Sequence, residues 1–140
     1  MSRVFWDTNL FIYLFEGHGT FSTQMVNLRN RMLARNDQLL TSAITLGEIL
    51  VKPTQKGDTA AIAYYRNLIT STAILLPFEE EAAVIYASLR SDRSLRPPDA
   101  IQLACAAAAK VDLFITNDVK LQSKQVPGIQ FVVSLDRAPI

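Results

Sequence analysis

Short β-prone runs alternate with segments of helical periodicity along the whole chain, and this alternation restricts the fold more than any other feature. Arg3 to Trp6, Gln38 to Thr41, Ala73 to Leu76, Leu113 to Thr116 and Gln130 to Val133 read as strands, the third stopped at Pro77. Leu10 to Phe15 is a continuous apolar run that reads as a short buried helix. Phe21 to Arg35 places Phe21, Met25, Leu28, Met32 and Leu33 at helical spacing. A helix with Leu46, Ile49 and Leu50 on one face starts at Ser42 or Thr45 and is closed by Pro53 and Gly57. Further helices are expected over Asp58–Thr70, Glu79–Ser91 and Asp99 to about Lys110, with one turn at Val119–Leu121. Parallel strands need long crossover connections, and helices supply them, so the pattern implies a parallel sheet covered on both faces.

The length of 140 residues suits a single domain spanning 1–140, and no repeat or linker divides it. A hydrophobic share of 49% supplies a core without staples, and the 19% charged share argues against disorder. Cys105, the single cysteine, forms no internal disulfide, and with one histidine it makes no zinc cluster. A reducing, cytoplasmic setting is the simplest expectation. No apolar run reaches membrane-spanning length, and the start at Met1 to Val4 reads as strand rather than as a targeting segment. A net charge of +1 is too small for nucleic-acid binding by charge alone. Any such contact needs a local patch, a metal, or both.

The acids carry the functional signal. Asp7 directly follows the first strand, and Asp118 follows the strand Leu113 to Thr116. In open parallel sheets ligands bind beyond the carboxyl ends of strands, where strand order reverses. If these two strands are neighbours there, their carboxylates meet above the sheet. Glu48 lies on the helix after the second strand, among Leu46, Ile49 and Leu50, where a charge is expected to have a partner. Asp99 opens the helix that precedes the Asp118 strand. Four converging carboxylates repel one another and raise one another's pKa, whereas Mg²⁺ or Mn²⁺ reverses the sign and prefers oxygen ligands. Taken singly, Asp7, Asp99 and Asp118 are equally readable as helix caps.

In order along the chain, Asp7-Thr8-Asn9, Glu48 within Thr45-Leu46-Gly47-Glu48-Ile49, Pro98-Asp99-Ala100-Ile101-Gln102-Leu103-Ala104, and Leu113-Phe114-Ile115-Thr116-Asn117-Asp118 resemble the four acidic motifs of PIN domains. The resemblance runs from Arg3 to about Val133. It implies a three-layer α/β/α sandwich with a mainly parallel sheet of about five strands. It also implies a Mg²⁺- or Mn²⁺-dependent endoribonuclease, with RNA as substrate. Asp7, Glu48, Asp99 and Asp118 become the metal ligands and catalytic acids. Asn9 becomes a residue behind them that orients an acid, and Thr116 a hydroxyl lining the site. Small members of this family resemble VapC toxins, which implies a cognate antitoxin protein and a homodimer. The resemblance assigns no role to the segment from Gly17 to Asn36.

Other readings stay open at this level. A PIN nuclease of RNA processing outside a toxin pair fits the same residues, as does a silent RNA- or protein-binding module. The complete acid set speaks against the silent form. A phosphatase of the haloacid dehalogenase type needs a second Asp where this chain has Asn9. Arg90, Arg93 and Arg96 cluster before Asp99 and read either as a phosphate-binding rim or as a solvated face. Glu79-Glu80-Glu81 reads as a helix start. His18 between two glycines reads as a solvated turn, Cys105 as a small core residue, and Trp6 as core.

Overall fold

The computed structural model describes residues 1–17 and 19–140; His18, expected in a solvated turn, lies outside them. The described elements run β1 (Arg3–Trp6), α1 (Thr8–Glu16), α2 (Gly19–Arg35), β2 (Gln38–Ser42), α3 (Ala43–Gln55), α4 (Thr59–Thr72), β3 (Ile74–Leu76), α5 (Glu80–Leu89), α6 (Pro97–Ala108), β4 (Leu113–Ile115), α7 (Val119–Gln122) and β5 (Phe131–Val133), then a 3₁₀ turn at Leu135–Arg137. The five strands form one sheet in the order β3-β2-β1-β4-β5, and every neighbouring pair is parallel. The expected parallel sheet is therefore present, with β1 at its centre.

Side chains alternate across a strand, so each strand feeds both faces. Phe5, Leu40 and Phe114 point to one side, into a core built with Ala82 of α5 and Leu103 to Ala107 of α6. Phe5 and Phe114 are register partners and stack with centroids 4.9 Å apart, a contact worth about 1 kcal/mol beyond area burial. Val4, Trp6, Leu39, Leu113 and Ile115 point to the other side, onto Leu10 and Phe11 of α1, Met25, Leu28 and Met32 of α2, and Ile69 of α4. Two cores sandwich the sheet, which explains why the strands read as nearly continuous apolar runs. Trp6 is wholly buried, packs on Phe11 at 5.1 Å, and takes the core role expected of it. Cys105 is likewise buried in the α6 core.

Several boundaries differ from the sequence expectation. α1 begins at Thr8 rather than Leu10, because Asp7 caps it by accepting from the Thr8 amide. α6 begins at Pro97, so Asp99 is its third residue rather than its opening one. Proline is preorganised for a first turn, where its missing N–H costs nothing. Pro53 does not close α3, which continues to Gln55. Gly57 lies in the turn just beyond, with a left-handed φ of 65°. Among the described residues, no helix is long and apolar enough to cross a membrane.

Candidate active site

β1 and β4 are neighbours with Trp6 opposite Ile115, and the chain after each strand carries an acid. The Asp7 amide extends the ladder by donating to the Ile115 carbonyl at 3.1 Å. From β1 the chain builds β2 and β3 on one side, then β4 and β5 on the other. The order reverses at β1, which opens a crevice beyond the strand ends. Asp7 and Asp118 stand at that crevice. α3, after β2, brings Glu48 to it, and α6, before β4, brings Asp99. All four acids line one cleft of about 530 Å³, together with Thr8, Asn9, Ile12, Arg96, Pro97, Pro98 and Gln102.

The acids are held differently. Asp7 is buried, and both its oxygens are occupied: Oδ1 accepts from the Thr8 amide at 2.9 Å, and Oδ2 from the Thr116 hydroxyl at 2.8 Å. Burial pushes its carboxyl above the ordinary range, against these two bonds, and the charges of Asp99 and Glu48 add to the rise. Asp99 is also raised, again by burial first; Arg96 opposes the rise and Asp118 adds to it. The Arg96 Nε lies 3.6 Å from Asp99 Oδ2, but Arg96 is 74% exposed, so solvent screens the pair. Asp118 caps α7 by accepting from the Lys120 amide at 3.0 Å. Glu48 has the partner its apolar surroundings called for: the Thr8 hydroxyl donates to Oε1 at 2.9 Å. The cap readings of Asp7 and Asp118 are thus correct alongside their place in the cleft, whereas the cap of α6 is Arg96, not Asp99.

The remaining sequence candidates divide. Thr116 has no exposed surface; it supports Asp7 from beneath rather than lining the cleft, and accepts from the Asp118 amide at 3.0 Å. Asn9 lines the cleft but, among the described residues, makes no hydrogen bond to an acid. Arg96 reaches the cleft. Arg90 instead lies over the Tyr86 ring at 6.0 Å, and Arg93 is exposed in the turn before α6; neither lines the cleft. Sequence reasoning gave no role to Thr8 or Gln102, and to Thr45 only that of a candidate helix start, whereas the cap of α3 is Ser42. Gln102 is buried and donates to the Thr8 hydroxyl at 2.9 Å and to the Thr45 hydroxyl at 2.7 Å. The available signal was a glutamine three residues after Asp99 in an otherwise Ala- and Leu-rich helix, hence on the same face.

The donor set suits a hard divalent cation: four carboxylates in one cleft, the innermost largely removed from water, with one screened arginine against them. Among the described residues, no three acids are gathered around a single cation position. Asp99 faces Arg96, whose Nε lies 3.6 Å from Oδ2.

A switch-point cleft lined by acids on an all-parallel sheet defines the class of an open α/β domain with an acidic site beyond its strand ends. The PIN domain family matches residues 4–126, and the chain belongs to that family. No curated protein matches it. Among solved structures it is similar to VapBC2 from Rickettsia felis bound to a DNA fragment from their promoter, with a TM-score of 0.73 and 18% identity, covering 94% of this chain and 97% of that one. It is similar also to a toxin–antitoxin complex from Klebsiella pneumoniae (TM-score 0.63, 24% identity, 90% and 94% covered). DNA-bound VapBC from Salmonella typhimurium is a third (TM-score 0.67, 18% identity, 96% and 99% covered). At these identities the likeness is one of fold.

Proposed function

We propose that the chain is a metal-dependent endoribonuclease, using Mg²⁺ or Mn²⁺ to hydrolyse RNA phosphodiester bonds, and that it is the VapC-like toxin of a toxin–antitoxin pair. The observation that carries this reading is that Asp7, Glu48, Asp99 and Asp118, from four separate elements, line one cleft at the switch point of a PIN-family fold. These four acids are the proposed ligands. A bound divalent cation would supply Lewis acidity at the phosphodiester and a more acidic water. The protein's own part is positional. Thr116 and the Thr8 amide fix both oxygens of Asp7, and Arg96 offers a guanidinium at the cleft edge for a flanking phosphate. The toxin reading, with an antitoxin partner, is supported by the toxin–antitoxin complexes among its structural relatives; self-association and a cytoplasmic setting belong to the same proposal.

RNA 5′-end sequencing after induced expression of wild type and Asp99→Asn tests the activity. New 5′ ends are expected with wild type alone. With purified protein, EDTA should stop cleavage and Mn²⁺ restore it. Asp7→Asn, Glu48→Gln and Asp99→Asn should each lower cleavage at least ~10²-fold with an unchanged circular dichroism spectrum. Retained cleavage in two of the three would sink the site assignment. Co-expression with the product of an adjacent small reading frame should give a complex that no longer cuts; absence of any such complex would leave a nuclease outside a toxin pair.

A further inference from the structure

The geometry points to Gln102 as a positioning residue that, through the Thr8 hydroxyl, aims the Glu48 carboxylate into the cleft. This rests on the metal-site reading above.

The inference follows from which atoms can donate. The Thr8 hydroxyl carries one proton and two lone pairs. Its neighbours are Gln102 Nε2 at 2.9 Å, Glu48 Oε1 at 2.9 Å and the Thr45 hydroxyl at 3.2 Å. An amide NH₂ only donates, and an ionised carboxylate only accepts. Thr8 must therefore accept from Gln102 and give its proton to Glu48. The other Gln102 proton goes to Thr45, which also lies 2.8 Å from the Thr41 hydroxyl. Gln102 Oε1 faces outward from this pair and accepts from Ser42. Turning the amide over would put its oxygen against Thr8 and Thr45, draw the Thr8 proton away, and leave Glu48 without its donor.

Thr41, Ser42 and Thr45 have no exposed surface, and Gln102 is 2% exposed, so water does not replace a lost partner. The network spans α1, β2, α3 and α6. Glu48 itself is at the surface end of this chain of bonds, on an exposed helix position. Without the Thr8 bond its side chain is free to turn into solvent, and a carboxylate that must first be ordered binds a cation less tightly.

The test uses Thr8→Val, which keeps the shape and removes the hydroxyl, Thr8→Ser, which keeps the hydroxyl, and Gln102→Met. Calorimetric titration with MnCl₂ should show Mn²⁺ affinity lowered about tenfold or more in Thr8→Val and Gln102→Met, and close to wild type in Thr8→Ser. In a Glu48→Gln background, Thr8→Val should cost nothing further, because its effect passes through Glu48. An equal loss in both backgrounds, or wild-type affinity in Thr8→Val, overturns the proposal. If Gln102→Met does not fold, the Thr8 pair and the Glu48→Gln cycle decide. A metal-free readout separates this claim from the metal reading. By NMR, the Gln102 side-chain amide protons should exchange slowly and show contacts to both the Thr8 and Thr45 methyl groups. The Glu48 side chain should lose order in Thr8→Val. If wild type takes up no Mn²⁺ but these NMR signatures hold, the metal reading fails and the positioning stands. If Glu48 order is unchanged in Thr8→Val, the positioning fails whatever the metal does.

Discussion

Burial, more than the neighbouring negative charges, raises the Asp7 carboxyl; Asp99 and Glu48 contribute smaller repulsions, and the Thr116 and Thr8 bonds oppose them. Counting charges along the sequence points to repulsion as the cause, because the depth of Asp7 at the end of β1 is set by packing. The raised value has a defined consequence for stability. Above the unfolded value of 3.8 the folded state holds protons that the unfolded chain releases. The stability this contributes is complete below that value and lost as pH rises through the folded one. In EDTA, Asp7→Asn should therefore melt at a higher temperature than wild type near neutral pH, with the gap closing towards about pH 4. Asp99→Asn should shift in the same direction, because burial also raises that carboxyl while Arg96 and Lys120 oppose the rise. Asp92 works in the opposite sense: hydrogen bonds from Lys124 and Ser94 hold it at about 2, so its contribution is lost as pH falls. Comparing each mutant with wild type removes that background. A pH-independent gap, or a mutant less stable than wild type at neutral pH, would rule out burial of these carboxylates as the source. At this scale the four acids were legible because each adjoins a recognisable strand or helix. Thr8 and Gln102 were not, because the bonds that give them a role join residues 94 positions apart.

Elements were legible where apolar periodicity was strong, and their ends were not, because ends are set by single contacts. Asp7 starts α1 through one oxygen, and α3 runs two residues past Pro53. The 3₁₀ turn at Leu135–Arg137 had no sequence signature, yet Leu135 completes the core beside α1 and α2. The turn before β5 shows how one contact fixes an element. Gly128 has a φ of 100°, and a Cβ there would stand 2.6 Å from the Ala107 carbonyl oxygen of α6. Gly57 has a φ of 65° with nothing within 4 Å of a built Cβ. Gly57→Ala should therefore cost only the left-handed backbone penalty of roughly 1–2 kcal/mol. Gly128→Ala adds a backbone clash and should cost at least ~1 kcal/mol more, as for other overpacked sites. Urea denaturation of both variants measures the difference. Equal costs would mean that the α6–β5 contact is looser than the geometry requires.

For the molecule as a whole, alternation of strands and helices was enough to foresee a parallel sheet covered on both faces. The strand order was not given by alternation, but it is what places Asp7 beside Asp118. Association follows from what the two faces leave uncovered. The run from Leu10 to Phe15 is apolar all round, and it is taken up by the fold: Leu10 and Phe11 are fully buried and Tyr13, Leu14 and Phe15 pack against the core. Apolar surface stays exposed on α2. Met25, Leu28 and Met32 face the core, while Val26 and Leu33, seven positions apart and hence on one flank, are 44% and 56% exposed. Phe21, at the start of the same helix, is 45% exposed and stacks on Tyr13 at 4.8 Å. An apolar flank of this kind is better covered than left in water. Light scattering at tens of micromolar (roughly the range of a weak dimer) should therefore show a homodimer, or a complex with a copurifying antitoxin. Val26→Glu combined with Leu33→Glu should give a monomer with an unchanged melting temperature, because neither side chain belongs to the core. A wild-type monomer without any copurifying partner would remove the case for association, and a dimer that survives the double substitution would place its interface away from α2.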